Sequence, residues 1–520
     1  MTKAKLIEEN KDLRVKLNAA KLLLEQKELI IAKLQKMMFG AKSERYTKEE
    51  AQQIQMSLFA ELEAIRIQEE AAKQAAEKIT VSYERTKPTS AKKKPPNRIP
   101  LPDHLPRVDI VIEPKEDVSG MVKIGEEVTE VLDIIPPQFR VLRLIRSKYA
   151  HPLAQKEEVK NPVIIAPMPS RVIDRGIPSA RVLAYILIAK FVDHLPYYRQ
   201  IEIFKRYAIP LKASTINGWI AKTCVLFKSL YDAFCNAIFQ QNYLLADETT
   251  CRVLQVKKNG KQGKAHKGYY WVYFDPINNQ VVFIFDLGRG RKYPAQHLKN
   301  FTGKLQTDGL SVYDAFEKRD GILLISCMAH LRRKFIEAMD NDKKRAEPIV
   351  LLMQQLYQIE AFARDNNYTA DQRFELRQEK SVPIMAKLKL ELDKLKNDPS
   401  VLPQSAIGKA VNHALKRWKY QERYLHDGRV EIDNNLVENA IRPLAVGRKN
   451  WLFAGSEQGA EWAAMIYTLV GSALRQGHNP LEYLTDILHR LPTTKMTELH
   501  QLFPSNWKKK TEPPSNLDLL

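Results

Sequence analysis

Three acidic residues stand where a metal-dependent centre for cutting phosphodiesters would need them. Asp247 closes the apolar run 243–246, and Asp308 closes a second apolar stretch, 305–307, just ahead of Gly309. Glu438 lies far downstream in DNNLVENAIRP (433–443), a segment of helical character. Carboxylates suit Mg²⁺ or Mn²⁺, hard ions held by oxygen and usually by one or two carboxylates together with substrate phosphates. Two such ions, roughly 3.5–4 Å apart, stabilise both the attacking and the leaving oxygen of an in-line displacement. On a helix Asn434, Glu438 and Arg442 share one face at i, i+4 and i+8, and Pro443 is expected to limit that helix. Arg442, Arg448 and Lys449 are candidates to neutralise a phosphate beside the ions, although Arg442 could equally pair with Glu438. In CMAHLRRKF (327–335), Arg332 and Arg333 are candidate nucleic-acid contacts, and His330 reads as structural.

The elements that must bring these residues together follow from the patterning. YYWVYFD (269–275) and VVFIFDL (281–287), joined by Asp, Pro and Asn, read as an antiparallel hairpin. The order is a strand with Asp247, the hairpin, a short helical stretch near 294–301, a strand with Asp308, a helix, and the strand GILLIS (321–326). That order is the order of a ribonuclease-H-like sheet. Asp275, Asp286, Asp314 and Glu248 are the nearby acids most easily confused with the triad, and replacing them is expected to cost much less.

Outside this core, positions 6, 10, 13, 17, 20, 24, 27, 31 and 34 follow coiled-coil spacing. They carry Leu6, Asn10, Leu13, Leu17, Ala20, Leu24, Lys27, Ile31 and Leu34. The stretch 1–47 is therefore expected to self-associate, since buried Asn or Lys sets register and oligomer state. Residues 48–100 read as a helical stretch followed by a basic, Pro-rich linker, TKPTSAKKKPPNRIP (86–100). Residues 171–240 read as helical and helix-turn-helix-like, with Ser214 a plausible N-cap. The second helix would offer Thr215, Asn217 and Lys222 to a DNA groove. Cys224 and Cys235 read as core residues. A helical insertion is expected over 336–430, between the first part of the core (241–335) and its end (431–490), and a tail follows at 491–520.

Composition points the same way. The chain has 520 residues and a net charge of +21, from 82 basic and 61 acidic side chains. Such an excess favours a polyanionic partner. No apolar run approaches the ~20 residues needed to span a bilayer, and MTKAKLIEEN has no signal-peptide character, so a cytoplasmic protein is expected. Four cysteines without a CxxC pair suit a reducing compartment.

LLADETT (244–250), LQTDGLSVYDAF (305–316), CMAHLRRKF (327–335) and DNNLVENAIRPLAVGRKNWLFAGSEQGA (433–460) occur in this order. With MMFGAKSERY (37–46), LPDHLPR (101–107), DHLPYYRQIEIF (193–204) and LFPSNW (502–507), they make the chain resemble the transposases of the insertion-sequence-66 family of bacterial mobile elements. The resemblance spans nearly the whole chain. It implies a DDE transposase with Asp247, Asp308 and Glu438 as its triad, acting on element ends and target DNA, with accessory proteins as possible partners. Members typically carry a cysteine-rich, zinc-binding segment after LPxHLPR. Here residues 108–137 hold no cysteine, so 101–170 is expected to be a small β-rich module without zinc.

The fold expected is thus α+β: a ribonuclease-H-like catalytic core with a helical insertion, preceded by helical DNA-binding and coiled-coil segments. The reaction expected is cutting and strand transfer at element ends. Two alternatives stand beside it: a related nuclease or resolvase that cuts without joining, and a non-catalytic DNA-binding repressor derived from a transposase.

Overall fold

The computed structural model describes residues 139–150, 163–165, 171–173, 176–255, 257–258, 261–262 and 265–509. The chain divides into two compact units, Met1–Ile135 and Pro136–Leu520, and every described residue belongs to the second. The expected coiled coil (1–47), the linker (48–100) and most of the module at 101–170 lie outside the described residues. From that module a short antiparallel pair, Lys148–Ala150 with Val163–Ile165, is described.

The second unit is a mixed α/β structure built on one sheet. Its strands are β1 (Tyr243–Gln255), β2 (His266–Asp275), β3 (Gln280–Asp286), β4 (Gly303–Thr307), β5 (Ile322–Ser326) and the short β6 (Ala454–Ser456). The spatial order is β3-β2-β1-β4-β5. The first three form an antiparallel meander, and β4 and β5 run parallel to β1. Aromatic and β-branched residues fill β2 and β3, as a pleated surface buried on both sides favours, and Trp271, Tyr273 and Phe283 are almost fully buried. β1 is longer than the apolar run suggested: it continues to Gln255, so Asp247 sits within the strand rather than at its end.

Around the sheet lie α1 (Ala180–Phe191), α2 (Tyr197–Arg206), α3 (Ala213–Ile238), α4 (Lys292–His297), α5 (Met328–Asp365), α6 (Ala370–Leu376), α7 (Val382–Asn397), α8 (Ala406–Glu422), α9 (Asn435–Trp451), α10 (Glu457–Arg475) and α11 (Pro480–Arg490). Edge strand β3 is covered by α10: Ser472 Oγ accepts the Val281 N–H at 3.0 Å and Thr468 Oγ1 that of Phe283 at 2.9 Å. Hydroxyls thereby satisfy backbone donors that an open edge would expose. At the start of β4, Gly303 has φ +126°, and a Cβ there would meet the Asn242 carbonyl at 2.3 Å. Only glycine fits that close approach.

Several local expectations change. Between β5 and α9 the chain is helical, but α5 starts at Met328, so the boundary placed at 335 falls inside one helix. Pro443 does not end α9, which runs through it to Trp451. Pro443 and Asn439 are both exposed, so water can take the carbonyl that the missing N–H leaves open. Helix α3 begins at Ala213 with Lys212 as its N-cap, placing Ser214 in the first turn and not at the cap. Cys224 and Cys235 are buried in the core.

Candidate active site

The three acids converge by strand register and by one docked helix. Ala246 on β1 pairs with Thr307 on parallel β4. The next residue on β1 is Asp247, and Asp308, the first residue past β4, comes beside it, near enough for its charge to act on the Asp247 carboxyl. Past Asp308 the chain turns sharply at Gly309, whose φ is +92°. The turn is held: Asp308 Oδ1 accepts the Leu310 N–H at 2.8 Å, and Arg417 donates to the Gly309 carbonyl at 2.7 Å.

Glu438 arrives on α9. Strand β4 pairs with the first part of β1 and β6 with its end, and α9 lies along the interval between. Asn434 anchors it. Its side-chain amide donates to the Ala246 carbonyl at 2.9 Å, immediately before Asp247, and its N–H donates to Cys327 Sγ at 3.2 Å. Burial pushes the Cys327 thiol up to about 12, so the sulfur is an inert acceptor rather than a thiolate. At the far end Arg448 donates to Thr249 Oγ1 at 2.7 Å and to the Thr250 carbonyl at 2.8 Å. With both ends tied to β1, Glu438 sits in the first turn of α9.

Electrostatics record the convergence. The Asp247 carboxyl is pushed up to about 8, first by burial and then by the charges of Glu248, Asp308 and Glu438, against the Glu248 N–H it accepts at 2.8 Å. Glu438 Oε1 is buried with no hydrogen-bond partner, as is Asn434 Oδ1. His330 Nδ1, equally unpartnered, lies 3.8 Å from Glu438 Oε1, beyond hydrogen-bond length. A buried, unsatisfied carboxylate oxygen is costly, and a hard cation is the kind of group that would relieve it. Among the described residues no three His, Cys, Asp or Glu side chains form a ready-made metal cluster. Magnesium does not need one, since it keeps waters and takes substrate phosphates as ligands. The oxygen-only donor set fits Mg²⁺ or Mn²⁺.

The other acids have work elsewhere. Asp275 caps the β2–β3 turn through the Ile277 and Asn278 N–H groups, Asp286 faces His297 at 3.0 Å, and Asp314 is paired with Arg417. Glu248 is paired with Arg289, a residue the sequence did not single out; no motif marks it, because the pairing depends on where the β3–α4 loop returns.

The basic candidates divide. Arg442 and Lys449 are exposed on α9, whereas Arg448 is half-buried and engaged with β1. Arg333 is exposed and Arg332 half-buried on α5. Two surface recesses meet at Asn435, one lined by Arg332, Arg333, Gln354 and Tyr357, the other by Glu438, Asn439, Arg442 and Ala445. Asn217 and Lys222 are exposed on α3 and Thr215 is half-buried. The opposite face of that helix packs Ile216, Trp219, Ile220 and Phe227 into the core.

Residues 175–462 match the family model described as Transposase IS66 family. The chain belongs to that family. Two further models match, one for the transposase C of IS166 homeodomain over 27–110 and one for the zinc-finger binding domain of transposase IS66 over 117–152. The second corrects the expectation of a module without zinc. Between 117 and 152 the chain has His151 and no cysteine, so counting thiolates was too narrow a test for a module recognised by its whole pattern. The uncharacterized protein y4jD of Sinorhizobium fredii is 35% identical over 427 residues, covering 78% of this chain and 81% of that one. Another from the same organism, y4hP, is 32% identical over 515 residues, covering 93% and 88%. Among solved structures, the Drosophila P element transposase strand transfer complex aligns with TM-score 0.29 and 10% identity, over 59% of this chain and 94% of that one. Among the described residues no helix is long and apolar enough to cross a membrane.

Proposed function

We propose that this IS66-family transposase is a DDE enzyme that cuts DNA at the ends of a bacterial insertion sequence and joins them to target DNA in the bacterial cytoplasm. In this reading Asp247, Asp308 and Glu438 are the catalytic carboxylates and the sheet is a ribonuclease-H-like core. The strand order, an antiparallel meander followed by two strands parallel to the first, supports the fold reading. The observation that carries the site is the Ala246–Thr307 register together with the Asn434 amide on the Ala246 carbonyl, which sets two carboxylates side by side and brings the third helix-borne one to them.

The three carboxylates would hold Mg²⁺ or Mn²⁺, two ions in all. When bound, the ions supply positive charge to the transferring phosphate and lower the pKa of the attacking water. The chain does the rest. Asn434 fixes the start of α9, and Arg448 fixes its end. Arg442 and Lys449 on α9, with Arg332 and Arg333 on α5, give a passing DNA strand cationic contacts beside the acids. Asn217, Lys222 and Thr215 on α3 are proposed as further DNA contacts. Water attacks at the element end, and the 3′-hydroxyl so freed attacks the target phosphodiester. Self-association through 1–47 would let one assembly hold two ends, with accessory proteins of the same element as further partners.

The test is incubation of the purified chain with end-containing duplex, plasmid target and Mg²⁺. Joined products support the reading. Cut but unjoined ends would favour a nuclease or resolvase, and binding without cutting would favour a repressor.

A further inference from the structure

Glu248 is an odd neighbour for a cluster of carboxylates. Its side chain is only 4% exposed, it follows Asp247 directly, and the charge of Asp308 acts on it. By strand alternation it leaves β1 on the face opposite Asp247. Among the described residues its cationic partner is Arg289, from the β3–α4 loop, whose side chain is 46% exposed. Arg289 Nε donates to Glu248 Oε1 at 2.8 Å, and Nη2 donates to the same oxygen. Glu248 Oε2 stays buried without a partner. A guanidinium that neutralises a carboxylate frequently spans both oxygens as a parallel fork. Here both donors converge on one oxygen, and nearly half of the side chain remains open to solvent.

The surroundings favour an anion. Arg291 and Lys292 next to it are exposed, and a Cβ on Gly290 would meet nothing within 4 Å, so a ligand's backbone could approach closely there. The loop base is fixed by the contact of His266 Nε2 with the Leu287 carbonyl at 2.6 Å. On the α9 side of β1, Arg442 offers positive charge. Asp308 links the two sides, its charge acting on Asp247 and on the Glu248–Arg289 pair. A phosphodiester strand there is repelled unless cations flank it on both sides, and the α9 and α5 residues supply one side only.

We propose that Arg289 is the phosphate-positioning residue on the second side of this site, and that Glu248 is its anchor, orienting the guanidinium toward a DNA phosphodiester next to the one at Asp247 and Asp308. The inference rests on the DNA reading of the site above, but not on catalysis. Arg289 is a positioning residue and touches no reacting atom.

The experiment is metal-free binding, in chelator, of the full chain to a duplex carrying the terminal sequence that flanks its reading frame, titrated across salt. Arg289→Ala should weaken binding and reduce the magnitude of the log affinity against log salt slope by about 0.9, the loss of one neutralised phosphate. Arg289→Lys should keep most of the slope. Glu248→Ala removes an acid and would by charge alone tighten binding. The anchor role requires that it weaken binding when Arg289 is present, and that it cause no loss when Arg289 is Ala, a non-additivity read from the double-mutant cycle. If Glu248→Ala melts before the assay temperature, Glu248→Gln should show the same sign with smaller size. An unchanged slope in Arg289→Ala, or tighter binding by the Glu248 variants in both backgrounds, overturns the proposal while leaving the DNA reading standing. A wild-type chain with no salt-dependent binding overturns both.

Discussion

At the scale of single residues, what separates Asp247, Asp308 and Glu438 from the other acids nearby is the company they keep. Asp275, Asp286 and Asp314 each satisfy a local partner, a turn, a histidine or an arginine, and each would be missed as structure rather than as chemistry. Asp314→Asn illustrates the difference. It should leave DNA cutting near the wild-type rate while lowering stability by about 1 kcal/mol in urea unfolding, since Arg417 keeps its bond to the Gly309 carbonyl but loses a charged partner. A large loss of cutting with unchanged stability would move Asp314 into the site. The adjacency of Asp247 and Asp308 was legible in the sequence because each ends an apolar stretch, and strand pairing needs only those stretches. The bonds of Arg448 to β1 were not legible: a basic residue near an acidic one says nothing about whether a strand's hydroxyl and carbonyl will engage it.

At the scale of elements, the helices between β5 and α9 brace both segments that carry the candidate acids. Helix α8 sends Arg417 to the turn after Asp308, and its C-cap residue Arg423 reaches Glu317 and the Leu324 carbonyl. On the other side, Arg377 is fully buried. It donates to both oxygens of Glu360 and to the carbonyls of Tyr424, Asp427 and Val430, while Arg373 reaches Glu360 and Glu431. These bonds shape the approach to α9. Burial pushes the Glu360 carboxyl up, but Arg377 and Arg373 outweigh it and hold the group below its usual range. A depressed carboxyl contributes stability that is complete above its unfolded value, near 4.5, and is lost as pH falls through the folded one. Glu360→Gln should therefore cost about 3–5 kcal/mol near neutral pH, because buried Arg377 loses its counter-charge and Arg373 keeps only Glu431, and should flatten the acid side of the stability profile. Urea unfolding of both proteins between pH 3 and 7 checks this (roughly the window of the titration); equal stabilities throughout would show that the network carries no weight. The helical character of 336–430 could be read from amphipathic spacing. This bracing could not, because ion pairs such as Arg373–Glu431 and Arg417–Asp314, 58 and 103 positions apart, leave no periodic trace. Pro443 likewise reads as a stop by local rules, and the exposed side of α9 tolerates it.

For the whole molecule, the net charge of +21 sets how the protein meets DNA. Affinity for duplex should fall steeply with salt, each neutralised phosphate adding about −0.9 to the slope of log affinity against log salt; a slope near zero would remove the polyanion as the reason for the charge. Assembly is a separate matter. Leu13→Lys with Leu24→Lys should shift the protein to smaller species by light scattering, since both positions fall on the expected coiled-coil seam. Unchanged mass would reject that role for residues 1–47. Whether the three carboxylates act as one centre is tested most directly by cutting of end-containing DNA in Mg²⁺. Asp247→Asn, Asp308→Asn and Glu438→Gln keep side-chain shape but lose the charge that holds a divalent ion. Each should bind ends nearly as the wild type does and abolish cutting, and wild-type cutting should stop in chelator. If Glu438→Gln cuts at near the wild-type rate, α9 does not carry the third carboxylate and the account of the site is wrong.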